Sequence, residues 1–135
     1  MQETKRVSLR WQEGLRFVGG AEEGPVTHID GDNASAPGPM LTLLLAAASC
    51  TGSDVVVILK KMRIEVQDLR IEVAGQRREQ EPRRYTAVHF DYHVAGTGLT
   101  QDKANRAVSL SVEKYCSVIH SLAPDIAITY AVTLP

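Results

Sequence analysis

The first thirty residues alternate between apolar and polar side chains, a pattern that predicts β-strands. The apolar positions of this alternation are Val7, Leu9, Trp11, Leu15 and Phe17. A glycine-rich stretch over residues 19–24 predicts a turn, and Val26 to Asp30 predicts a third short strand. Residues 31–38 are rich in Gly, Asp, Asn, Ser and Pro, so they predict a loop.

A long apolar run follows this loop and predicts the central helix of the molecule. Pro39 stands where a first-turn proline belongs, and Lys60 and Lys61 suit the negative end of the helix dipole near Met62. Residues 40–59 are long enough to be tested as a membrane span, but Asp54 interrupts them. A carboxylate at the bilayer centre costs about 2.5 kcal/mol or more. We therefore expect a buried helix in a soluble protein that has no membrane partner.

The second half of the chain predicts two more strands, a second helix and a closing strand. Residues 69–73 and 88–94 alternate in period two, and the charged stretch 77–84 joins them as a hairpin tip. Thr100 opens a helix whose apolar positions keep three-and-four spacing until Pro124 ends it. Residues 126–134 alternate again and form the last strand.

These elements predict an α+β fold with the order βββ-α-ββ-α-β. The expected architecture is an antiparallel sheet with a long buried central helix and a second helix that carries a cysteine. The length of 135 residues suits one domain, and no linker divides the chain, so residues 1–135 are predicted to form a single domain.

Charge and aromatic content argue against nucleic-acid partners. Fifteen basic residues oppose sixteen acidic ones, giving a net charge of −1, and aromatics make up 5% of the chain. Phosphate backbones require a basic excess, and single strands require stacking surfaces. The first six residues lead into no apolar segment of the kind a secretory signal has. We therefore expect a cytoplasmic protein with reduced thiols.

Two cysteines are the main candidates for chemistry. Cys50 lies in the central helix among small residues, and Cys116, 66 positions later, lies on the apolar face of the second helix. Their spacing fits no zinc module. Each could be a small buried hydrophobe, or the two sulfurs could face each other as a redox pair. Spacing leaves both possibilities open, because it does not give the distance between the helices.

His89, Asp91 and His93 share one strand face and superficially suggest a metal site. Same-face neighbours on a strand lie about 7 Å apart, so the two histidines are about 13 Å apart and cannot share one ion. We interpret them as part of a solvated sheet face and expect no metal.

Two segments resemble signatures of the OsmC/Ohr family, the osmotically inducible and organic hydroperoxide resistance proteins. Residues 39–63 resemble the central helix of that family, and residues 112–118, Val-Glu-Lys-Tyr-Cys-Ser-Val, resemble its second cysteine segment. The predicted order of elements agrees over essentially the whole chain. The ending of the central helix, Asp54 to Arg63, is similar to a less characterised branch of the family.

This resemblance implies a dimeric thiol peroxidase. The family fold is an intertwined homodimer, with the active sites at the subunit interface. Cys50 matches the peroxidatic position and Cys116 the resolving position. The implied substrate is an organic hydroperoxide, and the implied reductant is a dithiol such as a lipoylated protein. No metal or organic cofactor is implied.

The chain departs from the family pattern at the groups that activate the thiol. Met40 follows Pro39 where characterised members have Glu, and the turn at residues 19–24 contains no Arg. Arg16 is a candidate substitute, although a solvent-facing role on its strand explains it equally well. Asp54, one turn after Cys50, is a second candidate. The missing Glu favours one alternative, a non-catalytic dimer that binds a small hydrophobic ligand. A thiol redox sensor whose Cys50–Cys116 disulfide alters an interaction is a further possibility.

Overall fold

The computed structural model describes residues 2–135, which divide into two units, residues 2–43 and Leu44–Pro135. The strands are β1 (Ser8–Glu13), β2 (Arg16–Gly20), β3 (Val26–Asp30), β4 (Glu65–Arg77), β5 (Tyr85–Thr97) and β6 (Ala127–Thr133). The helical elements are α1 (Pro39–Lys61), α2 (Gln101–Leu110), a π-helical turn (Ser111–Tyr115) and α3 (Ser117–Ser121). The α+β class and the predicted order βββ-α-ββ-α-β are confirmed.

The first unit contains an antiparallel sheet of three strands in the order β1-β2-β3. Gly14 turns the chain between β1 and β2 with a φ of 54°, a left-handed conformation that favours glycine. The indole Nε1 of Trp11 donates to the Gly14 carbonyl at 2.8 Å and closes this turn. The predicted turn at residues 19–24 is shorter than expected, because Gly19 and Gly20 belong to β2.

The loop before α1 is organised by the carboxylate of Asp30, which is 2% exposed. Its Oδ1 accepts from the backbone N–H of Asp32 at 2.9 Å, and its Oδ2 accepts from that of Ser35 at 2.9 Å. The Ser35 hydroxyl and the N–H of Ala34 add further bonds to Oδ2. These backbone donors lower the pKa of Asp30 to about 2. The loop is therefore held by an ionised carboxylate.

Substitution of Asp30 with Asn should lower thermal stability at neutral pH, because an amide oxygen cannot replace the four interactions of the carboxylate. The folded pKa lies below the unfolded value of about 3.9, so the contribution of Asp30 is complete above pH 4 and is lost as the pH falls towards 2. Thermal unfolding followed by circular dichroism from pH 7 to pH 2.5 measures this. The exposed Asp32→Asn is the matched control. Equal melting temperatures for both variants at pH 7 would contradict the assignment.

The second unit contains a mixed sheet in the order β4-β5-β6. Strands β4 and β5 are each 13 residues long, pair antiparallel, and place the charged stretch 77–84 at their connection, as predicted. Strand β6 pairs parallel to β5, with Ala127 opposite Ala87 and Thr133 opposite His93. The parallel pairing follows from the helical connection between β5 and β6, since a tight turn cannot join parallel strands.

The core of the second unit lies against one face of β5. The inward-facing residues of this strand are Val88, Phe90, Tyr92 and Val94, all at most 2% exposed. Helix α1 contributes Ala47, Val55 and Leu59, and α2 contributes Ala104, Ala107 and Val108. Gly52 allows α1 to approach β4 closely, because a Cβ at this position would meet Ile71 Cδ1 at 3.0 Å.

One face of α1 remains open in the single chain. By length and composition the helix could cross a membrane, but an 18-residue window of such apolar character is also found in core helices. In this chain 28% of that window is buried, and Leu45 and Val57 are 56% and 51% exposed. The central helix is thus packed on one side and presents aliphatic side chains on the other.

Candidate functional site

The segment that carries Cys116 is a broken helix. Thr100 caps its start, with Oγ1 accepting from the N–H of Lys103 at 3.2 Å, as the sequence predicts. After α2 the chain makes the π-helical turn and then opens at Cys116, whose φ and ψ of −70° and 106° are extended. The predicted continuous helix therefore ends at Tyr115, and α3 begins after Cys116.

The π-helical turn changes which side chains face the core. The three-and-four spacing of the apolar positions in the second helix predicts Tyr115 on the buried face. In the structure Tyr115 is 51% exposed, with Lys114 Nζ lying 5.3 Å from the centre of its ring. A π turn contains one more residue than an α turn, so it rotates the positions that follow it. The turn moves Tyr115 outwards and leaves Cys116 completely buried.

Cys116 serves as the N-cap of the short helix α3. Its Sγ accepts a hydrogen bond from the backbone N–H of Ile119 at 3.4 Å. Its own N–H donates to the carbonyl of Ser111 at 2.8 Å, closing the π turn. One bond thus fixes the backbone of Cys116 and the other orients its sulfur at the point where the helix is interrupted.

The fold brings the side chains of Cys50 and Cys116 together. Cys50 is half-buried in α1, and its side chain lies close enough to the Cys116 thiol to raise the pKa of that thiol. Burial is the main reason that the pKa of Cys116 is raised to about 11. The N–H of Ile119 lowers this pKa, whereas the hydrogen bond with Cys50 raises it. The pair therefore combines a half-buried cysteine with a completely buried thiol that is protonated at neutral pH.

A chain of buried hydroxyl groups lies beside the two cysteines. The Tyr92 hydroxyl on β5 lies 2.9 Å from Thr51 Oγ1, next to Cys50 on α1. The Ser111 Oγ lies 2.8 Å from the same Thr51 oxygen and donates to Asp54 Oδ2 at 2.8 Å. Tyr92, Thr51 and Ser111 have no exposed surface. We call the connected residues Tyr92, Thr51, Ser111 and Asp54 the hydroxyl chain.

Tyr92 is held in its neutral form by this environment. Burial raises the pKa of its hydroxyl to about 12, and the hydrogen bond with Thr51 lowers it. The negative charges that Cys116 and Asp54 can carry raise it further. Tyr92 thus stays a hydrogen-bond donor at physiological pH, and its hydroxyl lies within the electrostatic range of Cys116.

The two candidate supporting residues have different positions. Asp54 lies on α1 and joins the site through Ser111. Arg16 belongs to the first unit, where it is half-exposed on β2 and forms an ion pair with Glu13. This contact matches the solvent-facing strand role that the sequence left open for Arg16.

His89, Asp91 and His93 lie half-exposed on β5. His89 Nδ1 is 2.7 Å from Thr129 Oγ1 on β6, and its Nε2 is 3.1 Å from Asp91 Oδ1. Across residues 2–135, no group of three or more His, Cys, Asp and Glu side chains is arranged to hold a metal ion. The polar contacts of His89 therefore link neighbouring strands of the sheet.

The hydroxyl chain was missed by the sequence reasoning, although a signal exists for part of it. Ser111 falls on the three-and-four spacing of Ala104, Ala107 and Val108, so it is a polar residue at a core position. A buried polar residue requires a hydrogen-bond partner. The identity of that partner depends on how α1 and the π turn pack, which no local pattern contains.

Comparison with known proteins places the whole arrangement in a family. A family model described as OsmC-like protein matches residues 31–131. The chain is 40% identical over 124 residues to Protein YhfA of Escherichia coli, covering 91% of this chain and 92% of that protein. A hypothetical protein from Aquifex aeolicus VF5 is 32% identical, with 99% of each chain covered and a TM-score of 0.84.

A more distant structure shows how far the fold extends. The organic hydroperoxide resistance protein OsmC from Legionella pneumophila is 15% identical, with 98% of this chain and 99% of that chain covered and a TM-score of 0.72. At that identity the likeness shows the fold alone. Together, the matched family model and the 40% identical bacterial relative show that this chain belongs to the OsmC-like family.

Proposed function

We propose that this protein is a cysteine-based thiol peroxidase that reduces organic hydroperoxides, with Cys50 as the peroxidatic and Cys116 as the resolving residue. OsmC/Ohr proteins act on hydroperoxides and are often dimeric. The observation that carries the proposal is the proximity of half-buried Cys50 to buried Cys116, which is close enough to raise the pKa of the Cys116 thiol. The half-buried position of Cys50 supports its role as the sulfur that meets the peroxide, and the nearby Cys116 supports disulfide formation.

The first step oxidises Cys50. Its thiolate attacks the distal oxygen of the hydroperoxide, the O–O bond breaks, and the alkoxide leaves as the alcohol after taking a proton from solvent. The sulfur becomes a sulfenic acid, so two electrons pass from the protein to the peroxide. Thr51 and Asp54 lie within one turn of Cys50 on α1, and they are the polar groups of α1 that the hydroxyl chain fixes in place.

The second step forms the disulfide. The Cys116 sulfur, as the thiolate, attacks the Cys50 sulfur, the S–OH bond breaks, and the hydroxide that leaves takes a proton from solvent to become water. An external dithiol then reduces the disulfide by two thiol exchanges and is itself oxidised to a cyclic disulfide. A dithiol is favoured over two monothiols because its second attack is intramolecular. A lipoyl group has this chemistry.

An apolar substrate suits the residues around Cys50. On the face of α1 that carries Cys50, Ala46 lies one turn and Leu43 two turns before the cysteine, and both side chains are aliphatic. Each methylene that a substrate buries contributes about 0.8 kcal/mol. An organic peroxide that buries two or three such groups would react about 10- to 100-fold faster than hydrogen peroxide at equal concentration.

A stoichiometric reaction tests this proposal. Reduced protein is mixed with one equivalent of cumene hydroperoxide, and intact mass and free thiols are followed. We expect the loss of two hydrogen masses and of both thiols, and recovery of both with dihydrolipoamide. Hydrogen peroxide is the comparison substrate. Unchanged thiols after complete mixing with either peroxide would overturn the proposal.

We also propose that the protein is a cytoplasmic homodimer and that each chain forms a single domain. An open groove of about 710 Å³ runs between α1 and β4, with a floor that includes Ala48, Gly52 and Ser53. Small side chains allow another helix to approach closely, and the rim is aliphatic, so the α1 of a second copy fits this groove. Family structures align with nearly all of this chain, which supports one domain over residues 1–135.

The same groove favours one alternative function. Its rim residues Leu45, Val56, Val57, Leu69 and Ile71 could instead surround a small hydrophobic molecule. Met40 occupies the position of the activating Glu, which also suits a binding protein without catalysis. The thiol experiment separates the two, because a binding protein would leave Cys50 and Cys116 reduced.

A further inference from the structure

The hydroxyl chain has a hydrogen-bond direction that its chemistry determines. A serine hydroxyl carries one proton, and an ionised carboxylate can only accept. The proton of Ser111 therefore points to Asp54, Thr51 donates to Ser111, and Tyr92 donates to Thr51. Every hydroxyl donates once, and none is left unsatisfied, so the buried chain has a single low-energy arrangement.

Ser111 connects this chain to both cysteines. Its side chain contacts Thr51, the residue after Cys50, and Asp54 on the following turn of the same helix. Its carbonyl accepts the N–H of Cys116 at 2.8 Å. One residue therefore fixes α1 at Cys50 and the extended backbone at Cys116 relative to each other.

The π-helical turn makes this connection necessary. Backbone that leaves α geometry just before a functional sulfur has no regular hydrogen-bond ladder to fix the register of the next residue. The break between the π turn and α3 lies at Cys116 itself. The side-chain bonds of Ser111 supply the fixed point that the interrupted helix does not.

We propose that Ser111, anchored by Asp54, is a positioning residue that holds the Cys116 sulfur against Cys50 for disulfide formation. This inference rests on the proposed function, because the disulfide is a step of the proposed peroxidase cycle. The quantity that Ser111 is expected to change is the effective concentration of the Cys116 thiol at Cys50. Ser111 touches neither peroxide nor sulfur, so it acts through the backbone of Cys116 and the position of α1.

The test compares Ser111→Ala with Ser121→Ala by two independent measurements. Ser121 is an exposed serine on α3 whose hydroxyl donates to the Ser117 carbonyl, so it matches the chemistry without touching α1. The first measurement equilibrates each protein in glutathione redox buffers and gives the effective concentration of the two thiols. The second follows sulfenic acid formation and disulfide formation separately after mixing with cumene hydroperoxide.

We expect Ser111→Ala to lower the effective concentration about tenfold and to slow disulfide formation by a similar factor. Sulfenic acid, trapped with dimedone, should accumulate, while the rate of its formation stays within about twofold of wild type. Ser121→Ala should match wild type in every measurement. Asp54→Asn keeps the shape of the anchor but removes its charge, so it should give a smaller change in the same direction.

The possible outcomes separate this inference from the proposed function. If the wild type forms the disulfide in glutathione but not with peroxide, the peroxidase is wrong and the positioning role is still measured. If Ser111→Ala lowers the melting temperature but leaves the effective concentration and the resolution rate at the Ser121→Ala values, Ser111 is only structural and the inference is overturned. If Ser111→Ala does not fold, an Asp54→Asn variant identical to wild type in both measurements overturns it as well.

Discussion

Replacement of Cys50 with serine is expected to reduce the rate of cumene hydroperoxide consumption by at least about 10³-fold, to the uncatalysed background. A serine hydroxyl is not ionised at neutral pH and cannot transfer two electrons to a peroxide. The half-exposed position of Cys50 makes the change sterically mild, so the folded state should persist. Peroxide consumption with dihydrolipoamide as reductant measures the effect, and circular dichroism verifies the fold.

Cys116→Ser is the matched variant for the second step. It removes the resolving sulfur and leaves Cys50 in place, so one equivalent of peroxide should still be consumed rapidly. The sulfenic acid then persists and is oxidised further by excess peroxide, and turnover with dithiol falls sharply. Equal steady-state turnover by wild type and Cys50→Ser would contradict the proposed mechanism. Equal turnover by wild type and Cys116→Ser would remove Cys116 from it.

The pH dependence of the two steps follows from the position of Cys116. Its pKa of about 11 leaves roughly one thiol in ten thousand ionised at pH 7. Disulfide formation should therefore accelerate about tenfold per pH unit from pH 7 upwards while the thiolate is scarce. The hydrogen bond and charge of Cys50 contribute to the raised pKa, and both change once Cys50 is a sulfenic acid. The acceleration should therefore level off below pH 11.

Local sequence patterns were sufficient to predict the strands and helices and their order along the chain. The alternation at Leu69, Ile71 and Val73 and the helical spacing at Ala104, Ala107 and Val108 are properties of neighbouring residues, and the structure confirms those elements. The extent of the strands was underestimated, because β4 and β5 continue through polar residues whose pairing is decided by the partner strand. The direction of β6 relative to β5 was not predictable either, since their parallel pairing depends on how the helical connection crosses the sheet.

The site was predictable only as far as its residue types. The sequence predicts Cys50 and Cys116 as candidates, but their proximity depends on the packing of α1 against a segment 66 positions away. The π turn removed Tyr115 from the apolar face, because helical spacing assumes that every turn has the same number of residues. Ser111, Thr51 and Tyr92 have a common function only as partners across three elements.

The aliphatic face of α1 gives the second large expected effect, which concerns assembly. Val57→Asp places a carboxylate on the rim of the groove between α1 and β4, where Val57 is 51% exposed in the single chain. If a second copy covers this groove, the carboxylate is desolvated in the complex without a partner, and the dimer dissociation constant should rise about 10²- to 10⁴-fold.

Sedimentation of wild type and Val57→Asp at micromolar concentrations tests this, with the exposed Ala123→Asp as a control that adds the same charge after α3. We expect dimers for wild type and the control, and monomers for Val57→Asp. The melting temperature should depend on concentration only for the two dimers, because dissociation is linked to unfolding by mass action. A wild type that sediments as a monomer, with a melting temperature independent of concentration, would leave the groove to a small hydrophobic ligand. In that case the site at Cys50 would have to function within a single chain.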